Sequence, residues 1–324
     1  MSILYLAEED VAQLLDMRTA IEVVEEMFRQ WGEGKANNVP RVRAKAPGVV
    51  LHSMCAAAEY LGLVGWKVYT TTKSGAQFLV GLCDAETGEL EALIEADRLG
   101  QMRTAAATAV AVEWMADMEA TELGLFGTGK QARTQLEAVC IARSIKRCFV
   151  YSRNEEHRQR FATEMAEQVG ITVSPVDRPQ EAVQDLPIVV TATNSVVPVF
   201  DGNDLKEGAL VCAVGSNWLR KAEVDAHTIC RADNIVCDSV EACRHEAGDF
   251  QAALEKGAFD WSRAVDLAEV VAGRAVGRNN RQSVTLFKSV GLAVEDVAVG
   301  GRVLAEARAK GFGRWMTTAL TRQT

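Results

Sequence analysis

The sequence predicts an α/β protein in which a doubly wound parallel sheet is inserted into a discontinuous α+β domain. A chain of 324 residues is long enough for about two domains. From residue 122 onward, apolar strand-like runs alternate with helical segments, as in a parallel sheet covered by helices on both faces. The last helical segment most simply returns to the first domain. We therefore expect one domain of residues 1–116 with 286–324, and a second of residues 117–285.

The composition excludes several classes of protein. Hydrophobic residues make up 48% and charged residues 24% of the chain, which is ordinary globular usage. With 44 acidic and 35 basic residues the formal charge is −9, so we expect neither a nucleic acid nor an anionic membrane surface as a partner. No apolar run is long enough to span a bilayer. The N-terminus lacks the basic start of a signal peptide, so we expect a cytoplasmic protein.

The eight cysteines form no CxxC motif, and most of them lie within apolar runs. Buried free thiols in a reducing compartment are the simplest interpretation. A metal site requires clustered ligands. Only the neighbourhood of Cys243 and His245 approaches such a cluster, so we expect no metal.

The first hundred residues predict a helix followed by a mixed sheet. The helix begins at Asp16 or Thr19 and ends near Trp31, because apolar residues such as Val24 and Phe28 recur at helical spacing. An alanine-rich helix is predicted over residues 103–116. Between the two helices, strand-like runs lie at residues 49–57, 63–71, 76–85 and 91–96.

The second domain is predicted from alternating strands and helices. Helices are expected at residues 130–142 and 155–170, with a short one at 179–186. The tail, residues 285–312, is predicted to form one long helix. The strands are expected at residues 123–126, 147–152, 171–176, 187–193, 209–214 and 234–239.

A glycine-rich turn indicates the function of the second domain. Residues 127–132 read Gly-Thr-Gly-Lys-Gln-Ala, which fits G-x-G-x-x-G/A directly after an apolar strand and at the start of a helix. In such a Rossmann-type turn, Gly127 permits the tight bend, Gly129 lets the backbone approach a pyrophosphate, and Ala132 lets the helix pack closely. The phosphates lie at the helix N-terminus, beside Thr128, Lys130 and Gln131.

The loop after the second strand indicates which coenzyme binds. Sites for NAD usually carry an acidic residue there, bonded to the ribose 2′-hydroxyl. This chain instead has Ser152, Arg153 and Asn154, and an arginine can meet a 2′-phosphate. We therefore expect NADP(H), with NAD(H) as the alternative. Arg153 could also be a simple solvated loop residue.

Four segments carry a resemblance to a known family. They are Pro40-Arg41, Gly65-Trp66-Lys67, the run Leu-Gly-Gln-Met-Arg-Thr-Ala-Ala at residues 99–106, and the glycine turn with Phe-Lys-Ser-Val-Gly at residues 287–291. In this order and spacing, the chain resembles the ornithine cyclodeaminase and mu-crystallin family over essentially its whole length. The resemblance implies a substrate-binding and dimerisation domain, a nicotinamide-binding Rossmann domain, hydride transfer at the α-carbon of an amino or imino acid, and a homodimer.

The resemblance also implies roles for individual residues. Arg41, Lys67 and Arg103 would line the substrate pocket, where arginine can hold an α-carboxylate through two parallel bonds and lysine can relay a proton. Arg43, two residues on, leaves the choice of Arg41 open. The residues expected to approach the cofactor are Thr104, Thr193, Val214, Gly215, Ser216, Lys221 and Ser289.

One position departs from the family pattern. Cyclodeaminases and some dehydrogenases of the family carry an aspartate where this chain has Asn217. An amide cannot exchange a proton near neutral pH, so the full cyclodeaminase cycle is less favoured than reduction of a preformed C=N bond. Asn217 could still bond the substrate nitrogen, while Lys67 or His52 supplies the proton. A histidine in an apolar strand is more often structural.

The expected function is reduction of an α-imino acid by NAD(P)H. A cyclic ketimine such as pyrroline-2-carboxylate or piperideine-2-carboxylate would give the L-amino acid. Two alternatives remain open at this stage. One is an ornithine cyclodeaminase or an alanine-type amino-acid dehydrogenase, and the other is a non-catalytic protein that binds NADPH or another small ligand, like the crystallin branch.

Overall fold

A computed structural model describes residues 2–317. It has the predicted α/β class and divides into two compact units. One comprises Met1–Arg103 with Leu292–Thr324, and the other comprises Thr104–Gly291. The predicted boundaries, after residues 116 and 285, both lie inside the second unit. The boundary predicted after residue 116 differs because the two units divide within a helix, after Arg103. The boundary predicted after residue 285 differs because residues 285–288 form a strand of the second unit's sheet.

The elements follow in chain order, apart from short 3₁₀ turns. They are β1 (Ser2–Leu6), α1 (Glu8–Leu14), α2 (Met17–Gly32), β2 (Ala36–Ala46), β3 (Val49–Ala58), β4 (Leu63–Thr72), β5 (Gly75–Asp84), β6 (Leu90–Glu95), α3 (Asp97–Met115), β7 (Glu122–Phe126), α4 (Lys130–Ala142), β8 (Arg147–Tyr151), α5 (Glu155–Val169), β9 (Thr172–Pro175), β10 (Ile188–Thr191), β11 (Leu210–Ala213), α6 (Ala226–Arg231), β12 (Asn234–Cys237), α7 (Val240–Glu246), α8 (Gln251–Glu255), β13 (Ala264–Asp266), α9 (Leu267–Val271), β14 (Thr285–Lys288), α10 (Ala293–Lys310) and β15 (Arg314–Thr317).

The first unit is a mixed sheet with helices packed on one face. Over the described residues, the strand order is β15-β1-β6-β5-β4-β3-β2. All neighbours are antiparallel except β1 and β6. Helix α2 begins where the sequence indicated, because the Asp16 side chain accepts a 2.8 Å hydrogen bond from the Thr19 amide. Helix α10 packs across β3, β4 and α2.

Alternation along β4 decides which side chains face this helix. Gly65, Lys67 and Tyr69 are buried on one side of the strand, because successive side chains of a strand point to opposite faces. A Cβ at Gly65 would lie 2.8 Å from a Val297 methyl group of α10. The strand and the helix therefore pack in close contact beside Lys67.

The second unit is a parallel sheet with the order β13-β12-β14-β11-β10-β7-β8-β9 in the described chain. The order reverses between β7 and β10, where open α/β sheets bind ligands at the carboxyl ends of their strands. The tail prediction was partly wrong. Residues 285–288 form β14 in the interior of this sheet, and the helix starts only at Ala293, since apolar runs this short do not distinguish a buried strand from a helix.

The structure also bears on the membrane and cysteine predictions. None of the helices between residues 2 and 317 combines the length and apolarity that crossing a bilayer requires. The described cysteines are free thiols, but Cys55 and Cys230 are exposed. The expectation of general burial was therefore wrong for these two. Cys55 lies on the outward side of β3.

Candidate active site

The first unit buries three basic side chains, two of which pair with buried carboxylates. Lys67 extends from β4 and Arg103 from α3, and they are 2% and 6% exposed. Lys67 Nζ donates to Asp296 Oδ1 at 2.7 Å, and Arg103 Nε donates to the same oxygen at 3.1 Å. A second nitrogen of Arg103 donates to Glu295 Oε2 at 2.7 Å. Arg41, on β2, is also buried, and its Nε lies 3.3 Å from the Met54 sulfur.

Burial and neighbouring charges set the protonation of this cluster. Burial lowers the pKa of Lys67 to about 8, Asp296 opposes that shift, and the charges of Arg103 and Arg41 add to it. Burial also disfavours the charged form of Arg103, but Asp296 and Glu295 outweigh burial and raise its pKa. Arg103 therefore stays charged, whereas Lys67 can gain and lose a proton near neutral pH.

His52 has the environment of a structural residue. Its Nδ1 accepts from Arg43 Nε at 3.2 Å, its Nε2 lies 3.0 Å from the Thr71 hydroxyl, and its ring stacks on Tyr69 at 4.1 Å. Burial, with the charges of Arg43 and Arg41, lowers the pKa of His52 to about 4. A neutral imidazole at neutral pH is a poor proton donor, so the geometry favours Lys67 for that role. Arg43 is thereby engaged with His52, and the choice of Arg41 as the substrate ligand stays a prediction.

In the second unit, the glycine turn has the geometry of a phosphate-binding loop. Gly127 has φ +109°, and a Cβ there would lie 2.4 Å from the Ala192 carbonyl oxygen, so only glycine fits the bend. Gly129 precedes α4, and a Cβ there would have no heavy atom within 4 Å. Because Gly129 provides no side chain to cap the helix, the first amides of α4 are accessible to an anion. Ala132 is fully buried.

A cavity of about 1070 Å³ lies at this turn. Nine predicted cofactor residues line it: Gly127, Thr128, Gly129, Lys130, Gln131, Ser152, Arg153, Asn154 and Thr193. Arg160 and His157 also line it, whereas no Asp or Glu is among its described lining residues. The cavity is therefore open to a ligand rich in phosphate.

The remaining predicted cofactor residues do not line this cavity. Ser289 is buried and its hydroxyl donates to Asp238 at 2.8 Å. Thr104 and Ser216 are also buried. Val214, Gly215 and Lys221 lie in the segment that follows β11, with Gly215 exposed and the other two half-buried. Asn217 is half-buried in the same segment.

A buried ionic network that includes Lys288 of β14 orders the segments that follow β10 and β11. Glu223 accepts hydrogen bonds from the amides of Thr193 and Gly215, each at 2.6 Å. Lys288 pairs with Asp249 at 2.8 Å and donates to the Ser216 carbonyl at 2.9 Å. Burial raises the pKa of Glu223. These side chains hold two of the predicted cofactor segments in place.

Comparison with known proteins decides the family. The family model described as ornithine cyclodeaminase/mu-crystallin matches residues 2–311. This protein belongs to the ornithine cyclodeaminase/mu-crystallin family. The resemblance seen in the four sequence segments is thereby confirmed over almost the whole chain.

Several relatives of this family member are named as imine reductases or amino-acid dehydrogenases. A Δ1-pyrroline-2-carboxylate reductase of Bacillus cereus is 35% identical over 80% of this chain and 82% of its own length. An alanine dehydrogenase of Archaeoglobus fulgidus is 31% identical over 97% of this chain and 98% of its own. The solved Δ1-pyrroline-2-carboxylate reductase of Thermococcus litoralis, in complex with NADH and L-proline, is 32% identical, covers 96% of this chain and 99% of its own, and superposes with a TM-score of 0.91.

Sequence reasoning missed the acidic half of the first-unit cluster. Glu295 and Asp296 lie in the first turn of α10 within the run Ala-Val-Glu-Asp-Val-Ala-Val, and both are fully buried. Two adjacent acids in an otherwise apolar run were the available signal, because buried carboxylates require partners. Glu223, Lys288 and Asp249 were missed too, since their proximity depends on the tertiary fold.

Proposed function

We propose that this member of the family catalyses NADPH-dependent reduction of an α-imino acid to the L-amino acid. The preferred substrate is a cyclic ketimine such as pyrroline-2-carboxylate or piperideine-2-carboxylate. The observation that carries the proposal is the buried cluster of Arg41, Lys67 and Arg103 with Glu295 and Asp296. With Lys67 protonated, three positive charges lie beside two carboxylates in this cluster, an excess that suits a single substrate carboxylate.

Each residue of the first-unit cluster is assigned a separate role on such a substrate. The guanidinium groups of Arg41 and Arg103 bind and orient the carboxylate, which lowers the entropic part of the barrier. Lys67 donates the proton that the imine nitrogen requires, and its pKa of about 8 is close to neutral pH, as proton transfer favours. A bound nicotinamide coenzyme supplies the hydride.

The choice of NADPH rests on the cavity at the glycine turn. Arg153 and Arg160 line it, and the described lining residues include no carboxylate that would repel a 2′-phosphate or bond a ribose 2′-hydroxyl. The helix N-terminus after Gly129 suits the pyrophosphate. The relative from Thermococcus litoralis was solved with NADH, so this preference is proposed from the loop residues of this chain.

A homodimer is proposed from the outward face of the first-unit sheet. Val39, Val42, Leu51 and Val64 are exposed there, Val42 at 63%, on neighbouring strands β2, β3 and β4. An exposed apolar patch of this kind usually marks an interface. The archaeal alanine dehydrogenase structure, 30% identical with a TM-score of 0.92, is described as a dimer. Solution scattering that gives a monomer mass would refute this.

The test of the function is a coenzyme-oxidation assay with pyrroline-2-carboxylate. Purified protein is mixed with the imino acid and either NADPH or NADH, and loss of nicotinamide absorbance is followed. Rapid oxidation of NADPH and slower oxidation of NADH are expected. Turnover only with linear imino acids, formed from a keto acid and an amine, would move the assignment toward the dehydrogenases. Ammonia release from ornithine would establish a cyclodeaminase instead.

A further inference from the structure

The first turn of α10 contains an aspartate whose burial costs desolvation free energy. Asp296 is fully buried, and a buried charge is retained only with close partners. Its Oδ1 accepts from both Lys67 and Arg103. Its Oδ2 is buried without a hydrogen-bond partner in the described part of the chain. Both contacts of the carboxylate are thus concentrated on one oxygen, which lies between the two cations.

The Lys67 ammonium is held on two further sides. It lies 5.4 Å from the centroid of the Phe78 ring, a distance at which a cation interacts with an aromatic face. A Cβ on Gly100 would lie 2.8 Å from Lys67 Nζ, so the absence of a side chain at Gly100 leaves the space that the ammonium occupies. Asp296, Phe78 and Gly100 together define one position for the nitrogen.

We propose that Asp296 is a positioning residue: its Oδ1 fixes the Lys67 ammonium and the Arg103 guanidinium relative to each other, so that the proton donor and the carboxylate-binding group act in one geometry. The inference rests on the proposed imine reduction. Asp296 acts through Lys67 and Arg103 rather than on the substrate. Glu295, its neighbour on α10, pairs with Arg103. We assign Glu295 to the support of the arginine that binds the substrate carboxylate.

The proton transfer that depends on this geometry begins at the Lys67 ammonium. An N–H bond of the Lys67 ammonium breaks, and its proton bonds to the imine nitrogen through the nitrogen lone pair. When the α-carbon then accepts hydride from the coenzyme, the C=N π pair returns to nitrogen and the product is the amine. Lys67 is left neutral and regains a proton from solvent. Activity therefore requires the protonated lysine and falls as Lys67 loses its proton.

The charges around Lys67 determine how a substitution of Asp296 changes the pKa of Lys67. The charged groups that act on Lys67 are Asp296 from α10, Arg103 from α3 and Arg41 from β2. Glu295 from α10 pairs with Arg103, while Arg43 from β2 and Tyr69 on the strand of Lys67 contact His52 of β3. Asp296 is the carboxylate that raises the pKa of Lys67, against burial and the arginines. Removing its charge lowers that pKa.

The experiment compares Asp296→Asn with Glu295→Gln over a pH series. For D296N we expect kcat to fall about 100-fold, as for an approximately 1 Å misplacement of a reacting group. The alkaline limb of the kcat profile, near the pKa of Lys67 in the wild type, should move to lower pH. For E295Q we expect a raised KM and an unmoved alkaline limb, since its partner is the carboxylate-binding arginine. A purely structural role would lower activity without moving the limb.

The outcomes separate this inference from the proposed function. If the wild type reduces no imino acid, the proposed function fails. If the wild type is active and D296N keeps its kcat and its alkaline limb, the positioning role is overturned. Should D296N not fold, Asp296→Glu keeps the charge but extends it by one methylene. We expect D296E to lower kcat with the limb unmoved and with the wild-type free energy of unfolding, because the carboxylate is displaced from Lys67 and Arg103 while the fold is kept. A wild-type kcat in D296E, or a loss of kcat that only follows a loss of unfolding free energy, overturns the inference.

Discussion

Substituting Gly100 by alanine should separate the stability of this protein from its activity. Gly100 lies in α3 with a helical backbone that alanine adopts readily, and its added Cβ would lie 2.8 Å from Lys67 Nζ. The atom it meets is the end of a flexible side chain, so the fold can accommodate the methyl group. Lys67 must then move away from the position that Asp296 and Phe78 define.

The magnitude of both effects can be worked out. Non-bonded heavy atoms pack at about 3.5–4.0 Å, so Nζ must shift by roughly 1 Å, enough to strain its 2.7 Å contact with Asp296. A displacement of that size near the reacting atoms costs about 100-fold in rate. Replacing a helical glycine by alanine stabilises a protein by about 0.5–1 kcal/mol. This gain offsets part of the cost of straining the buried Lys67–Asp296 pair, so G100A should unfold at a urea concentration close to that of the wild type while losing most of its activity.

The assay measures kcat/KM for pyrroline-2-carboxylate together with urea denaturation. Gly300→Ala is the matched control, because Gly300 lies in α10 of the same unit and its Cβ would meet only Leu82 and Ile94 at ordinary contact distances of 3.4–3.6 Å. G300A should keep full activity. A fully active G100A would show that the position of the Lys67 ammonium does not limit the rate. A strongly destabilised G100A would refute the packing argument.

Two further predictions concern coenzyme choice and acid stability. Arg153→Ala should raise the KM for NADPH about tenfold, as expected for loss of one exposed charge-assisted contact, and leave that for NADH unchanged. The control is Arg178→Ala, which removes an exposed arginine outside the cavity lining and should leave both KM values unchanged. An equal rise of the NADPH and NADH KM values in R153A would contradict the 2′-phosphate assignment. Because the pKa of His52 is lowered from 6.5 to about 4, its protonation favours the unfolded state. Acidification from pH 7 to pH 4.5 should therefore cost about 2–3 kcal/mol of unfolding free energy through this group. The His52→Gln variant should lose about 2–3 kcal/mol less unfolding free energy than the wild type between pH 7 and pH 4.5. An equal loss of unfolding free energy in both proteins would show that the titration of His52 does not contribute in this pH range.

The sequence was most informative where the pattern is local. The Asp16 cap, the helical spacing after it and the strand-turn-helix at Gly127 depend on residues close along the chain, and the structure has each of them. Predictions were wrong at boundaries. The strand at residues 285–288 was taken for helix, because whether a short apolar run pairs with β11 and β12 depends on chain far away in sequence.

The sequence by itself determined the fold class, the family, the glycine turn and the cations at positions 41, 67 and 103. Only the tertiary structure decided how these cations are balanced. Lys67 and Asp296 are separated by more than 200 residues yet lie 2.7 Å apart, because β4 and α10 pack face to face. The same packing withdraws water from the lysine and brings its pKa to about 8. Burial and through-space charge give Lys67 this property, and neither can be read from the residues beside it in the chain.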